Sequence, residues 1–499
     1  MALPEQTAPP SSIPHLYTEL IETILLWLKR ICRAQERNHH LLKAALISRD
    51  WTPLARKHAF EVTIPITSEK LALMREILSS QTTNTISQYI KTAVVSINIA
   101  NKGSDSVAID AEQKEMLALV HKSFPPSCKL HLRMHGGRLH EPDMTWLRSH
   151  LRNLVHLELL DVGICMSKET LMESLSPKSF PTLKKLSLKM VENLEFEYPE
   201  TEEYDDDEEE EEEEEEDTGE EEEREELDTL TEDGVAHGRA SRFALDMLFF
   251  DEIKYRSTTS SPNYARIWPQ DIFQDLTVKN LILKLGPKPF FPGVINLLST
   301  VSQNLVSLDV SHYKGNYDRS FKRIIRHGVR FPNLEILKLR VGSLVTVGDE
   351  SVGDSDEYLW DVHLSLKALL SYKTIPRVQT IVLRIMNDWE GFLCANARGH
   401  GDLEPAFARY DYGGWTTIDY ALVELARRQK EVRKDASEGI LTRIVVGAEF
   451  AHWHRTELAE EEYVADALEY VQTDELNHSH QHGLKVEFCI LEHPDSRYF

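Results

Sequence analysis

Leu305–Val310 reads "LVSLDV": an apolar residue, two free positions, a second apolar residue, one free position and a third. Alternation across its last residues is strand spacing, with one side of the strand apolar and the other free to vary. The same phase returns in "LVHLEL" from Leu154, "LKKLSL" from Leu183, "VKNLIL" from Val278, "LEILKL" from Leu334, "VQTIVL" from Val378 and "LTRIVV" from Leu441. Weaker versions are "VVSINI" from Val94 and "SCKLHL" from Ser127. Successive clear starts lie 29, 95, 27, 29, 44 and 63 residues apart. A unit of 27–29 residues holds one strand and one helix or turn. Such a unit cannot bury its apolar side alone and must stack on its neighbours. The interval of 95 contains an acidic tract, and those of 44 and 63 mark units enlarged by inserts such as the helical "IDYALVELARRQKEV". The fold class expected is α/β, with parallel strands.

This periodicity resembles the leucine-rich repeat. The resemblance implies an irregular solenoid over residues 65–499, strands on the concave face and helices outside. Residues between and just after the apolar positions then point to the concave side. Seven of them are basic, namely Lys185, Lys189, Lys284, Lys338, Arg340, Arg384 and Arg443, against two acidic, Glu158 and Asp309. Lys189, Lys284, Arg340 and Arg384 occupy equivalent positions in their units and form a basic file. These seven are the candidate target-binding residues, and charge-assisted hydrogen bonds would favour an acidic or phosphorylated target. Lysine at strand edges also serves solubility, and that reading stays open.

Charge is unevenly distributed. The formal net charge is -26, yet residues 201–226 hold 21 acidic residues and one arginine, so the remainder is nearly balanced. Like-charge density of that order cannot repay its ordering cost, so an insert at about 200–235 is expected to be disordered. It either solvates, binds basic proteins such as histones, or folds back over the basic file. The five cysteines lie far apart with no C-x-x-C pair, which points to a reducing compartment and away from a disulfide framework or zinc finger. No apolar run approaches 18 residues, and "MALPEQTAPPSS" has no signal-peptide pattern. The expected location is cytoplasmic or nuclear.

Residues 1–12 read as a disordered lead. From Leu16 the apolar residues follow helical spacing through Leu20, Ile24 and Leu28, with Ile21 and Leu25 beside them. A second helical run passes Leu42 and Leu46, and Pro53 suits the first turn of a third helix. Residues 13–64 are therefore a small three-helix domain, too small to be very stable alone. Its segments "LYTELIETILLWL" and "ALISRDWTPLARKHAFEVTI" resemble the F-box, with Glu19-Leu20-Ile21, then Leu46-Ile47-Ser48-Arg49, Trp51 and Leu54-Ala55-Arg56 matching. The proline of the family falls at Tyr17, with Pro14 three residues earlier.

The resemblance implies a non-catalytic receptor subunit of a ubiquitin ligase complex. The F-box would dock a Skp-type adaptor, and through it a cullin, while the repeats hold a protein target. Adaptor-binding residues would be Leu20, Ile21, Ile24, Leu25, Leu28, Leu42 and Leu46, with Trp51 bracing the helices from within. The alternative is a repeat scaffold outside any ligase. No catalytic motif, cofactor, membrane or nucleic-acid partner is nominated. "MHGGRLH" and "DYGGWTT" are turns, since neither fits a phosphate-loop pattern. His478, His480 and His482, and the pair His452 and His454, lack the cysteine or carboxylate that would complete a metal set.

Overall fold

The computed structural model describes residues 18–31, 40–47, 51–60, 64–66, 75, 91–99, 109–124, 127–151, 153–189, 191–193, 243–251, 265–266, 268–273, 275–285, 291–312, 324–341, 367–386, 414–432, 440–450, 472 and 476–492. The lead, the acidic insert and the histidines at 452 and 454 lie outside them. In chain order the first strands are β1 (Ile64–Ile66), β2 (Thr92–Asn98), β3 (Lys129–His135), β4 (Arg138–His140), β5 (Leu154–Leu160), β6 (Gly163–Cys165), β7 (Lys185–Lys189) and β8 (Glu192–Asn193). Then come β9 (Ala244–Asp251), β10 (Ala265–Arg266), β11 (Thr277–Leu285), β12 (Ser307–His312), β13 (Ile336–Val341), β14 (Thr380–Met386), β15 (Arg443–Phe450) and β16 (Lys485–Glu492). Among the described residues the labelled helices are α1 (Thr18–Ile31), α2 (Trp51–Phe60), α3 (Ala111–Ser123), α4 (Glu141–His150), α5 (Lys168–Ser174), α6 (Pro269–Ile272), α7 (Phe291–Val301), α8 (Gly414–Val432) and α9 (Asn477–Gln481), with shorter helical turns besides.

Twelve strands form one sheet in the order β1-β2-β3-β5-β7-β9-β11-β12-β13-β14-β15-β16. Every neighbouring pair is parallel, and the order across the sheet is the order along the chain. Crossovers between parallel strands share one hand, so steps always taken in one direction carry the connections over one face. A second, four-stranded sheet, β10-β8-β6-β4, runs beside it.

The apolar phase seen in the sequence is what the register stacks. One file runs from Val95 through Leu132, Leu157, Leu248, Leu308 and Ile381 to Val486, and a second from Ile97 through Leu159, Phe250 and Leu339 to Phe488. All of these side chains are buried in one continuous core. All seven clear repeats become strands of the main sheet. The weaker pair do too, but each is offset by two residues from the expected phase, in opposite directions: the first file takes Val95 rather than Ile97, and Leu132 rather than Leu130. A shift of two keeps the same face, so the parity was right and only the phase differed.

Of the main-sheet strands, β1, β9 and β16 went unforeseen. β9, "ALDMLFFD", fills the long interval with Leu248 and Phe250 in the buried files, and β16 closes the far edge with Val486 and Phe488. Phenylalanine in the third apolar position, where the other repeats carry leucine or valine, hides the pattern.

Polar side chains on the connections tie neighbouring units together. Asp110 caps α3 by accepting from the Gln113 amide at 2.7 Å, while Gln113 Nε2 donates to the Asn98 carbonyl at the end of β2. Asn153 and Asn333, each one residue before an apolar start, donate to carbonyls of the preceding unit, Cys128 and Gln303, at 3.2 and 2.8 Å. Gly136 and Gly137, with φ of 70° and 68°, make the turn out of β3. A Cβ on Gly137 would lie 2.8 Å from the Ile99 carbonyl oxygen, so no larger residue fits.

On α8, Gln429 is fully buried. Its Nε2 donates to the Pro376 and Val378 carbonyls at 3.2 and 3.1 Å, and its Oε1 accepts from the Leu441 amide at 2.7 Å. One side chain thus satisfies backbone ahead of both β14 and β15. Gln429→Leu leaves those groups buried and unpaired and is expected to cost about 2–4 kcal/mol. Denaturant unfolding checks this; an unchanged midpoint would remove the linking role.

Candidate functional site: a helical docking patch and a polar sheet face

The first surface is built by α1, a short helix at residues 40–44 and α2. Ile21, Leu25, Leu41, Ala44, Ala45, Trp51 and Ala55 form a small core of their own, separate from that of the sheet, with Ile24, Leu28 and Leu54 packed against it. Pro53 sits in the first turn of α2, where its missing N–H costs nothing. Thr52 Oγ1 donates to the Ala45 carbonyl at 2.8 Å, fixing the corner before α2.

α1 carries two adjacent apolar stripes. Ile21, Leu25 and Leu28 face inward, while Leu20, Ile24 and Trp27 lie on the next stripe round. Of the seven sequence-nominated docking residues, Ile21 and Leu25 are buried at 2% and 0%, so they hold the cluster together. Leu20, Leu42 and Leu46 are exposed at 49%, 40% and 85%. Ile24 and Leu28 are half-buried. Sequence reasoning passed over Leu26, Trp27 and Ile47, all exposed and contiguous in sequence with the rest. Trp27, seven residues after Leu20, was the available signal. A domain this small that leaves leucines, an isoleucine and a tryptophan outside offers an apolar contact surface.

The second surface is the side of the main sheet opposite the buried files. The register puts Lys189, Lys284, Arg340 and Arg384 in one row, as expected. The unforeseen β9 places Asp251 between Lys189 and Lys284, so the row is not continuously basic. Several of the cations are also engaged within the face. Lys189 Nζ lies 2.9 Å from Glu158 Oε1, and Arg384 pairs with the buried Asp309. Arg443 Nε donates to Glu487 at 3.0 Å. Lys189 and Lys284 stand 4.7 and 5.6 Å from the Phe249 ring centre, a cation–π arrangement with one ring between two ammonium groups. Lys185 and Lys338 are half-buried, and the Arg340 side chain lies outside the described residues.

Glu158 anchors the N-terminal part of this face. Arg133 Nε meets its other oxygen at 2.8 Å. Burial alone would raise its pKa, but the Lys189 hydrogen bond and the charges of Lys189 and Arg133 hold it below the ordinary carboxylate range. Beside it, the His131 and His156 rings meet edge to face at 5.1 Å, and His156 Nε2 lies 3.0 Å from Ser187 Oγ. Burial, then the neighbouring His131, pushes His156 down to about 4. Arg133 and His131 were not nominated because their strand begins in a weak repeat.

At the far end, His478 and His480 lie on α9, which Asp419 of α8 holds by accepting the His478 and Ser479 amides at 2.7 and 2.8 Å. Among the described residues no group of three or more His, Cys, Asp or Glu side chains is placed to hold a metal ion. Nor is any described helix long and apolar enough to cross a membrane.

Glu158→Gln keeps the shape and removes the charge between two cations. The loss expected at neutral pH is about 1–3 kcal/mol. A carboxylate with a depressed pKa stabilises above its unfolded value, about 4.3, and that advantage disappears as pH falls through the folded-state value. Thermal melts of the two proteins should therefore differ at pH 7, and the gap should narrow as pH falls below about 4; a constant gap would contradict the pairing. Compared with known proteins, the chain matches no family model and no curated relative.

Proposed function

We propose that this chain is the target-recognition subunit of a Skp–cullin–F-box type ubiquitin ligase, with residues 13–64 as the F-box and residues 65–499 as an irregular leucine-rich-repeat solenoid. The observation that carries this reading is the separateness of the two surfaces. A small helical cluster with its own core exposes an apolar patch, and a long parallel sheet in chain order exposes a mixed polar face. The first suits an adaptor with an apolar groove, in which exposed Leu20, Trp27, Leu42, Leu46 and Ile47 would be covered. The second suits a protein target, with acidic or phosphorylated groups favoured by its cations.

In this role the chain needs no catalytic group. It acts by proximity, holding a target so that one of its lysines meets a charged ubiquitin carrier at high effective concentration. The open sheet face supplies the grip and the helical cluster the tether.

The test is co-elution of the full chain with a Skp-type adaptor, wild type beside Leu20→Asp/Leu46→Asp. Both side chains are exposed, so the variant is expected to keep the wild-type circular dichroism spectrum. A wild-type complex that weakens at least about 100-fold in the variant supports docking through this patch. If the folded wild type does not bind, the ligase reading fails and a repeat scaffold working outside a ligase takes its place.

A further inference from the structure

On the open face of the main sheet, β3, β5 and β7 present a three-by-three grid of side chains centred on Glu158. Six of its positions hold a cation or an imidazole: His131, Arg133, His135, His156, Lys185 and Lys189. Glu158 is its one carboxylate and sits between Arg133 and Lys189, 2.8 and 2.9 Å away. That pairing fixes the two long side chains across the grid. Lys185, in the row of His131 and His156, has no carboxylate partner among the described residues.

The histidines are crowded by positive charge. Lys185 on β7 and Arg133 on β3 disfavour protonation of both, Lys129 adds to this at His131 and His131 itself at His156, and Glu158 on β5 alone favours it. The flanking strands bring Val94, Ser96 and Asn98 from β2 and Met247, Phe249 and Asp251 from β9 to the grid's edges; Asp251, the one charged group among them, lies in the row of Lys189, two rows from His131 and His156. Burial first, and these charges after it, hold both imidazoles below their ordinary values. Arrayed on strands roughly 5 Å apart, these groups converge on one small region of surface.

We propose that Arg133, Lys185 and the His131–His156 pair bind one phosphorylated side chain of the protein target, and that the histidine pair takes up a proton as the phosphate seats. The proposal rests on the target-binding reading above and names the chemistry of that face. A phosphate monoester brings up to two negative charges and three acceptor oxygens, which match donors arriving from three strands. A carboxylate brings one charge and uses fewer of them. A long polyanion fits poorly, because Asp251 borders the grid on β9 and the acidic tract joins β7 to β9. A dianion beside the imidazoles reverses their electrostatics and favours the charged form. Binding therefore strengthens as pH falls from 8 toward 6.5, until the phosphate's own second ionisation near about 6 opposes it.

The experiment uses the full chain and a phosphoserine peptide pool with randomised flanks, beside the same pools carrying serine or aspartate. Calorimetry in two buffers of different protonation enthalpy gives affinity and proton uptake together. The phosphoserine pool is expected to bind at least about tenfold more tightly than the aspartate pool. Lys185→Ala is expected to lose that margin, and His131→Gln/His156→Gln to abolish proton uptake while keeping the fold by circular dichroism. Equal affinity for phosphoserine and aspartate, binding unchanged in Lys185→Ala, or no proton uptake in the wild type would each overturn the proposal. Tighter binding of a ten-nucleotide single strand, lost in Lys185→Ala, would reassign the face to nucleic acid. Absent peptide binding with adaptor co-elution intact removes this site and leaves the ligase reading standing. Peptide binding without co-elution does the reverse.

Discussion

The buried files of the main sheet are the constraint on which everything else depends. Each strand of a unit has one apolar side, and its own connection cannot cover the ends of that side. Leu308 is buried because Leu281 and Leu337 lie against it on either side, and the same is true along the file. Stability is therefore shared between neighbours, so a break in one unit weakens those beside it. The requirement also explains the polar ties. Gln429, Asp143 and Asp419 are buried, yet each accepts backbone N–H groups that a crossover would otherwise bury without a partner.

With one side of every strand committed to that core, the other is free to carry chemistry. Side chains there are spaced by the sheet itself, so their relative positions are set by the register rather than by loops. The central Glu158 shows what this does. Arg133 and Lys189 come from strands on either side of β5 and from positions 56 residues apart in the chain, yet both meet one carboxylate. Buried Asp309 likewise draws in Arg384. The face is a set of compensated clusters with local excesses of positive charge, not a uniform basic groove. That is a better basis for selecting one charged group than for holding a polyanion.

The N-terminal cluster works by the opposite device. It buries so little that its stability and its stickiness come from the same apolar residues. Ile21 and Leu25 hold α1 to α2, and one stripe away Leu20 and Trp27 face outward. A protein partner covering that stripe would stabilise the cluster as well as bind it.

The amino-acid sequence by itself determined the period, the parity and the class. Apolar residues at fixed spacing must lie on one side of a strand, so the seven clear repeats were legible, and with them the parallel α/β architecture. Helical spacing around Leu20 and a proline suited to a first turn made the N-terminal helices legible in the same way. β9 and β16 were not, because Phe250 and Phe488 replace the usual aliphatic residue, and burial takes either. The stripe of α1 that turns inward was also undetermined, since Leu20 and Ile21 are equally apolar and only packing against Trp51 and Ala55 separates them. Above all, the sequence supplied charges without their partners. Which cation meets which carboxylate depends on strands brought side by side, and only the tertiary structure decides that.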